Sequence, residues 1–385
     1  MRSTRKQTGS TNGWASLANV LFFLAVILGS CLAPDRASAV DWLSGVRLGI
    51  SSGFDTNPLE ELVSEDVERD SFLRIHGEGQ ISSPRLGFLR EPSLAVRGFT
   101  ERYSQESDER RNQGEARFRT ETPLGRKGGV GILEAGVRAR DYPDSTSRNF
   151  SRSWLRFASR FRLGPKGTFR PELFYWTLDY NRTLEKDQSG VELALSYDWQ
   201  MRPRLVGTMG FELTDQDYDR PSLKADYNPE GELELEFGPE QTDSSRFLRL
   251  NLRYVKRGLF QLQYGLRSQT SNSVGSSFRR HEIRWLISKP LWRRISGQCF
   301  GTWETTRYRD DDLDDIFILR AGEEQEAADD SNLVAVQLSR PLRSDLRIST
   351  RYSWYKNESL LVGSFYRKQV ATFTLTWEAG RLSGF

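Results

Sequence analysis

The stretch "RFLRLNLRY", which begins at Arg246, sets the terms for the whole chain. Leu248, Leu250, Leu252 and Tyr254 fall on one side of an extended strand, and Arg249, Asn251 and Arg253 fall on the other, because strand side chains alternate with period two. The same pattern recurs. "LFQLQYGLR" sets Leu262, Tyr264 and Leu266 against Gln261, Gln263 and Arg267, and "VELALSYDW" sets Val191, Leu193, Leu195, Tyr197 and Trp199 against Glu192, Ser196 and Asp198. A soluble sandwich alternates too, but its strands average about five or six residues. These runs suit tilted strands that cross a bilayer, which takes about 9–11 residues each.

Sixteen such segments are predicted, near 44–54, 71–82, 93–104, 113–123, 130–141, 152–163, 169–180, 189–200, 203–216, 245–256, 258–270, 279–289, 294–307, 331–340, 344–355 and 365–378. The joins after even-numbered segments are short and rich in Pro, Gly and Arg, such as "PLGRKG", "LGPKG", "KRG" and "RPLRS". The others are longer and acidic, such as "SQESDERR" and "DYPDSTSRN". Short turns on one side and long loops on the other is the anatomy of an outer-membrane barrel, and an even strand count returns both termini to the periplasmic side. The fold expected is all-β, a transmembrane antiparallel up-and-down barrel of about 16 strands, with 14 or 18 as alternatives. The ambiguity lies in "GELELEF" (Gly231 to Phe237), placed as an extension of an outer hairpin, and in the apolar "DIFILRAG".

Composition fits this solvent. The mean hydropathy is −0.60, yet aromatics reach 12%, with 10 Trp and 22 Phe, and a disordered chain is poor in these. A formal net charge of +3 gives nucleic-acid binding no support. At the N-terminus, Arg2, Arg5 and Lys6 precede the apolar run "WASLANVLFFLAVILGS" and the small-residue site "ASA" at Ala37–Ala39, which together read as a secretory signal. The expected division is residues 1–39 as signal peptide and 40–385 as the barrel. A competing reading takes "LGSC" as a lipobox and Cys31 as a lipidated N-terminus. After Ala39 no apolar run approaches the ~18 residues of a helical span. Cys299 is then the single cysteine of the mature chain, which excludes an intrachain disulfide.

Aromatic residues sort toward strand ends. Trp42, Trp199, Trp292 and Trp377 fall near expected periplasmic ends, and Phe54, Tyr103, Tyr180, Trp303 and Trp354 near outer ends. Two aromatic girdles are what a bilayer with two interfaces selects.

The face opposite the apolar one carries charge. By parity it holds Arg47, Arg74, Arg97, Arg117, Arg119, Arg138, Arg140, Arg156, Arg160, Arg162, Arg249, Arg253, Arg267, Arg284, Arg347 and Arg351, with Glu78, Glu101, Glu115, Glu121, Glu134, Glu192 and Glu282. Charge facing lipid costs about 2–4 kcal/mol near the midplane, so these residues are expected to line the lumen. One reading is a basic pore for anionic or polyhydroxylated solutes. The other is an Arg–Glu ladder that braces the wall and partly fills it.

Catalytic and metal signals are thin. The acidic "RDDDLDD" (Arg309 to Asp315) lacks the Gly and terminal Glu of a defined calcium loop and reads as a solvated loop. The histidines are His76 and His281. No "GxSxG", "HExxH" or P-loop occurs, so general-base supply argues against an enzyme. No cofactor and no metal are expected.

"GFDTNP" (Gly53 to Pro58) resembles the Gly-aromatic-Asp-x-Asn signature that ends the first strand in many uncharacterised proteobacterial outer-membrane barrels. The C-terminal run from "YRDDD" through "SNLVAVQLSRPLRSDLRISTRYSWYKNESLLVGSFYRKQVATFTLTWEAG" is similar to their closing pattern. Such porin-like barrels are associated with exopolysaccharide export or surface-lipoprotein assembly. The resemblance covers the first strand and the last quarter, and it implies outer-membrane lipid and lipopolysaccharide, the barrel-assembly machinery and periplasmic export partners as the contacts of the chain. The chain departs from the pattern in lacking a periplasmic helical-repeat domain. It also departs in "GRLSGF", which does not continue the alternation into Phe385, so Phe373, Leu375 and Trp377 are the expected recognition residues of the last strand. The function expected is a channel for small anionic or polyhydroxylated solutes or for an exported polysaccharide. A non-conducting structural or assembly barrel is the alternative, and an outer-membrane hydrolase is a distant third.

Overall fold

The structure, a computed structural model, describes residues 43–56, 69–83, 85–86, 89–106, 109–125, 128–144, 148–180, 187–227, 233–274, 276–309, 332–358 and 365–380. The signal peptide with its Ala39 cut, Cys31, Trp42, Asn57, Pro58, Asp310–Asp315, "DIFILRAG" and Phe385 lie outside these residues.

Seventeen strands form one antiparallel sheet: β1 (Leu43–Asp55), β2 (Asp70–Ser82), β3 (Arg85–Leu86), β4 (Leu89–Tyr103), β5 (Arg111–Leu124), β6 (Gly129–Asp141), β7 (Phe150–Leu163), β8 (Gly167–Tyr180), β9 (Gln188–Arg202), β10 (Leu205–Tyr227), β11 (Leu233–Val255), β12 (Leu259–Ser271), β13 (Phe278–Pro290), β14 (Ser296–Tyr308), β15 (Leu333–Pro341), β16 (Leu346–Glu358) and β17 (Phe365–Gly380). β3 is a two-residue piece in the turn between β2 and β4. The other sixteen close into a barrel, each paired with its chain neighbour, and β17 returns to β1 from Gly45↔Gly380 to Asp55↔Val370. Closure leaves no sheet edge, the condition for backbone to cross lipid.

The alternation read from the sequence is the alternation of exposure. Along β9, Val191, Leu193, Leu195, Tyr197 and Trp199 are exposed, and the residues between them are half-buried. Leu48, Ile50 and Phe54 on β1 and Phe373 and Trp377 on β17 are exposed in the same way. An apolar outside with polar residues inside is the lipid-facing pattern of a membrane barrel, and the chain is an outer-membrane β-barrel. Leu193→Arg, in the middle of β9, is expected to lower unfolding stability by about 2–4 kcal/mol. Urea titration of the protein folded into lipid vesicles measures this, and an unchanged midpoint would contradict an outward, lipid-facing Leu193.

Turns at one end are tight, as in "LGPKG", where Gly164 takes a φ of 73° that side-chain-bearing residues rarely adopt. At the other end, β10 and β11 run 23 residues each. Their pairing continues to Tyr227↔Leu233, past register shifts around Pro221, as a proline without an amide donor requires. "GELELEF" therefore lengthens an outer hairpin and adds no span. The 272–277 loop braces the base of this extension, with the Val274 amide donating to the Leu223 carbonyl at 2.8 Å and the Leu223 amide to Ser273 Oγ at 2.8 Å.

Among the described residues, β14 pairs β15 over seven rungs, Ser296↔Ser339 to Thr302↔Leu333, and the Glu304 amide donates to Asn332 Oδ1 at 2.9 Å.

The girdle expectation needs one correction. Phe54, Trp199, Trp292, Trp303, Trp354 and Trp377 are exposed on the outer face, but Tyr103 and Tyr180 are not among them. Tyr103 packs on Phe72, with ring centroids 5.6 Å apart, and donates to Asp55, while Tyr180 packs on Phe150. Their parity is that of the charged face, and strand parity overrides position along the strand.

Candidate functional site

The face opposite the apolar belt is built rung by rung from cross-strand pairs. On β1, Arg47 lies opposite Glu78 of β2 and Glu378 of β17 and donates to both at 2.9 Å. On β4, Glu101 lies opposite Arg74 and Arg111 and accepts from both. Glu115 of β5 accepts from Arg97 at 2.8 Å and Arg138 at 2.7 Å. Arg47 thus bridges two carboxylates, while Glu101 and Glu115 each bridge two guanidinium groups. Charge-assisted bonds of this kind are roughly twice as strong as neutral ones.

Ten of the sixteen arginines expected on this face are ion-paired: Arg47, Arg74, Arg97, Arg117, Arg119, Arg138, Arg156, Arg160, Arg249 and Arg284. Arg140, Arg267 and Arg351 stack instead on Phe150, Phe247 and Phe300, at 4.8–5.0 Å from the ring centroids. Arg162, Arg253 and Arg347 make no ion pair among the described residues. All three sit within three residues of a strand end at the tight-turn side. Glu78, Glu101, Glu115, Glu121, Glu134 and Glu282 are each bonded to arginine. Glu192 makes no ion pair among the described residues and stands in the field of Glu172, Glu212, Arg156 and Arg267.

The structure adds residues to this face that the sequence reading omits: Glu172, Glu212, Glu304 and Glu378 pair with Arg156, Arg249, Arg280 and Arg47. Asp198, placed on this face by parity, pairs with Arg170. Period-two parity reaches these positions, but "PELFYW" of β8 is apolar on both faces and hides it. Phe174 and Trp176 share the face of Glu172, and Arg152 stacks over them at 5.8 and 5.1 Å. Glycine makes room for these rings: a Cβ on Gly136 would overlap Trp154, and one on Gly190 would overlap Trp176. Arg170, for its part, lies within electrostatic reach of Arg160, Arg249 and Arg253, and Arg160, Arg170 and Arg249 are each paired with a carboxylate, Glu121, Asp198 and Glu212.

The histidines do not form a hydrolase site. The His76 ring lies over Gly49, near Arg47 and Arg74, and makes no hydrogen bond to a serine or carboxylate among the described residues. His281 is on the lipid-facing side, with Tyr264 Oη 2.8 Å from its Nδ1.

No protein-family model matches this chain, and a search of curated proteins finds no match. Among solved structures, a bacterial polysaccharide outer membrane secretin aligns at 11% identity and TM-score 0.43, over 88% of this chain and 98% of that one. CdiB from Acinetobacter baumannii aligns at 9% and 0.49, over 87% of this chain and 60% of that one. OccAB1 from the same species aligns at 8% and 0.45, over 89% and 97%. The barrel described above rests on its own closed ladder and not on these likenesses.

Proposed function

We propose that this outer-membrane barrel is a channel for small anionic or polyhydroxylated solutes. Barrels of about sixteen strands are wide enough to hold an aqueous lumen, and charge rings on the inner wall set selectivity. The observation that carries the reading is the surplus of guanidinium: Arg162, Arg253 and Arg347 lack an acidic partner among the described residues. Guanidinium forks hold carboxylate and phosphate bidentately.

A second reading is a closed scaffold, and the Arg–Glu mesh favours it, since paired charges brace strands and occupy space. Liposome swelling separates the two. Vesicles that carry the protein are expected to swell faster in isotonic glucuronate than in glucosamine, two solutes of similar size and opposite charge. Equal or reversed rates would remove the anion preference. No swelling in either would favour the scaffold.

A further inference from the structure

The tight-turn end carries a charged patch that the channel does not use. From Ser244 to His281, and again from Ile283 to Trp303, the chain has no Asp or Glu. The β11–β12 and β13–β14 turns therefore present only cations: Lys256, Arg257, Lys289, Arg293 and Arg294, all exposed. None makes an ion pair among the described residues, and both turns lie wholly within those residues. The turns stand side by side. β12 pairs with both β11 and β13, and a Cβ on Gly258 would overlap Ser288 and touch Lys289. Exposed Arg204 joins them from the β9–β10 turn, its carbonyl accepting from the Val255 amide at 2.9 Å. Two of these cations sit in strained backbone. Arg293 and Arg294 take φ of 47° and 68° as the central residues of a turn closed by the Ile295 amide on the Trp292 carbonyl at 2.9 Å. Asn-Gly fits such a turn freely, whereas L residues with side chains are disfavoured in this region. The same turn ends the apolar belt. Leu291 and Trp292 are exposed, Leu291 lies over Gly297 beside outward Leu338, and the Arg293 guanidinium is 4.3 Å from the Trp292 ring centroid.

We propose that this patch binds the headgroup of an anionic phospholipid in the periplasmic leaflet, with Leu291 and Trp292 against its acyl chains. Short turns of outer-membrane barrels face the periplasm, which puts the patch at the headgroup level of that leaflet. Clusters of Lys and Arg beside a membrane span hold anionic headgroups, tryptophan favours the interface, and guanidinium matches phosphate oxygens. The geometry favours a lipid over a soluble acidic partner because the cations border the apolar belt directly. Lys289 continues the outward parity of exposed Ile287 on β13, and Arg293 lies on the ring that ends the belt. The strained turn agrees: two arginines stand where Asn-Gly would fit better, so their charge and not the fold accounts for them. The site is on the outside of the barrel and does not rest on the channel reading.

The test is native mass spectrometry of the full chain folded in detergent, titrated with dioleoyl phosphatidylglycerol or dioleoyl phosphatidylcholine, which share acyl chains and differ in headgroup charge. The wild type is expected to retain phosphatidylglycerol at least about tenfold more tightly. Arg293→Asn with Arg294→Gly is expected to lower that ratio by at least about fivefold, the worth of one cation beside an anionic headgroup. Because Asn-Gly relieves the turn, this variant is expected to fold at least as well as the wild type. Heat-dependent gel mobility verifies folding, and Lys256→Gln with Arg257→Gln, expected to lower the ratio in the same way, carries the test if it fails. Equal retention of the two lipids by wild type overturns the proposal, and so does an undiminished ratio in the folded variants. Displacement of phosphatidylglycerol by polyglutamate, a stand-in for an acidic protein, overturns it as well, since a soluble partner would then be the better occupant.

Discussion

Glu101→Ala is expected to lower the unfolding free energy by about 3–5 kcal/mol, the range for removing one partner of a buried charge network. The Glu101 side chain is fully buried, with 0% exposure, and holds Arg74 and Arg111 at once. Both guanidinium groups also lean on Phe99, at 5.1 and 5.7 Å from its centroid. Removing the carboxylate leaves two positive charges facing each other across β4 with no acid between them. Glu101→Gln keeps the volume and two acceptor lone pairs but not the charge, and is expected to show a smaller loss. Urea titration of the vesicle-folded protein, followed by tryptophan fluorescence, measures both. A loss under about 1 kcal/mol, typical of an exposed pair, would mean that the network adds little to the barrel.

Replacing Arg162, Arg253 and Arg347 together by Glu is expected to turn an anion-preferring channel into a cation-preferring one. None of the three has an ion pair among the described residues to break, so the exchange acts on the field of the lumen more than on the wall. Each substitution changes the local charge by two, and a low-dielectric wall focuses that field onto passing ions. The anion-to-cation permeability ratio is expected to fall by at least about tenfold, as read from reversal potentials, with folding verified by heat-dependent gel mobility. Retained anion preference would place the selectivity elsewhere, with Arg160, Arg170 and Arg249 as the next groups to test.

The strands were legible because the membrane imposes a strict rule on them. The segment expected at 130–141 is β6 at Gly129–Asp141, and that expected at 258–270 is β12 at Leu259–Ser271. The rule weakens where its cause weakens. Beyond the bilayer the same alternation carries on without a lipid face, so the ends of β10 and β11 have no boundary signal, and only Pro221 marks a break. Parity tells which face a residue takes but not which partner it meets. Arg47 and Glu378 lie 331 positions apart, and only closure of β17 on β1 brings them together.

The most direct measurement is the reversal potential of the wild-type protein in a planar bilayer under a potassium chloride gradient. If the proposed channel reading holds, an open channel whose reversal potential shifts toward the chloride equilibrium value is the expected result, since unpaired guanidinium groups would favour anions in the lumen. A shift toward the potassium value, or a folded protein that never conducts, would contradict it.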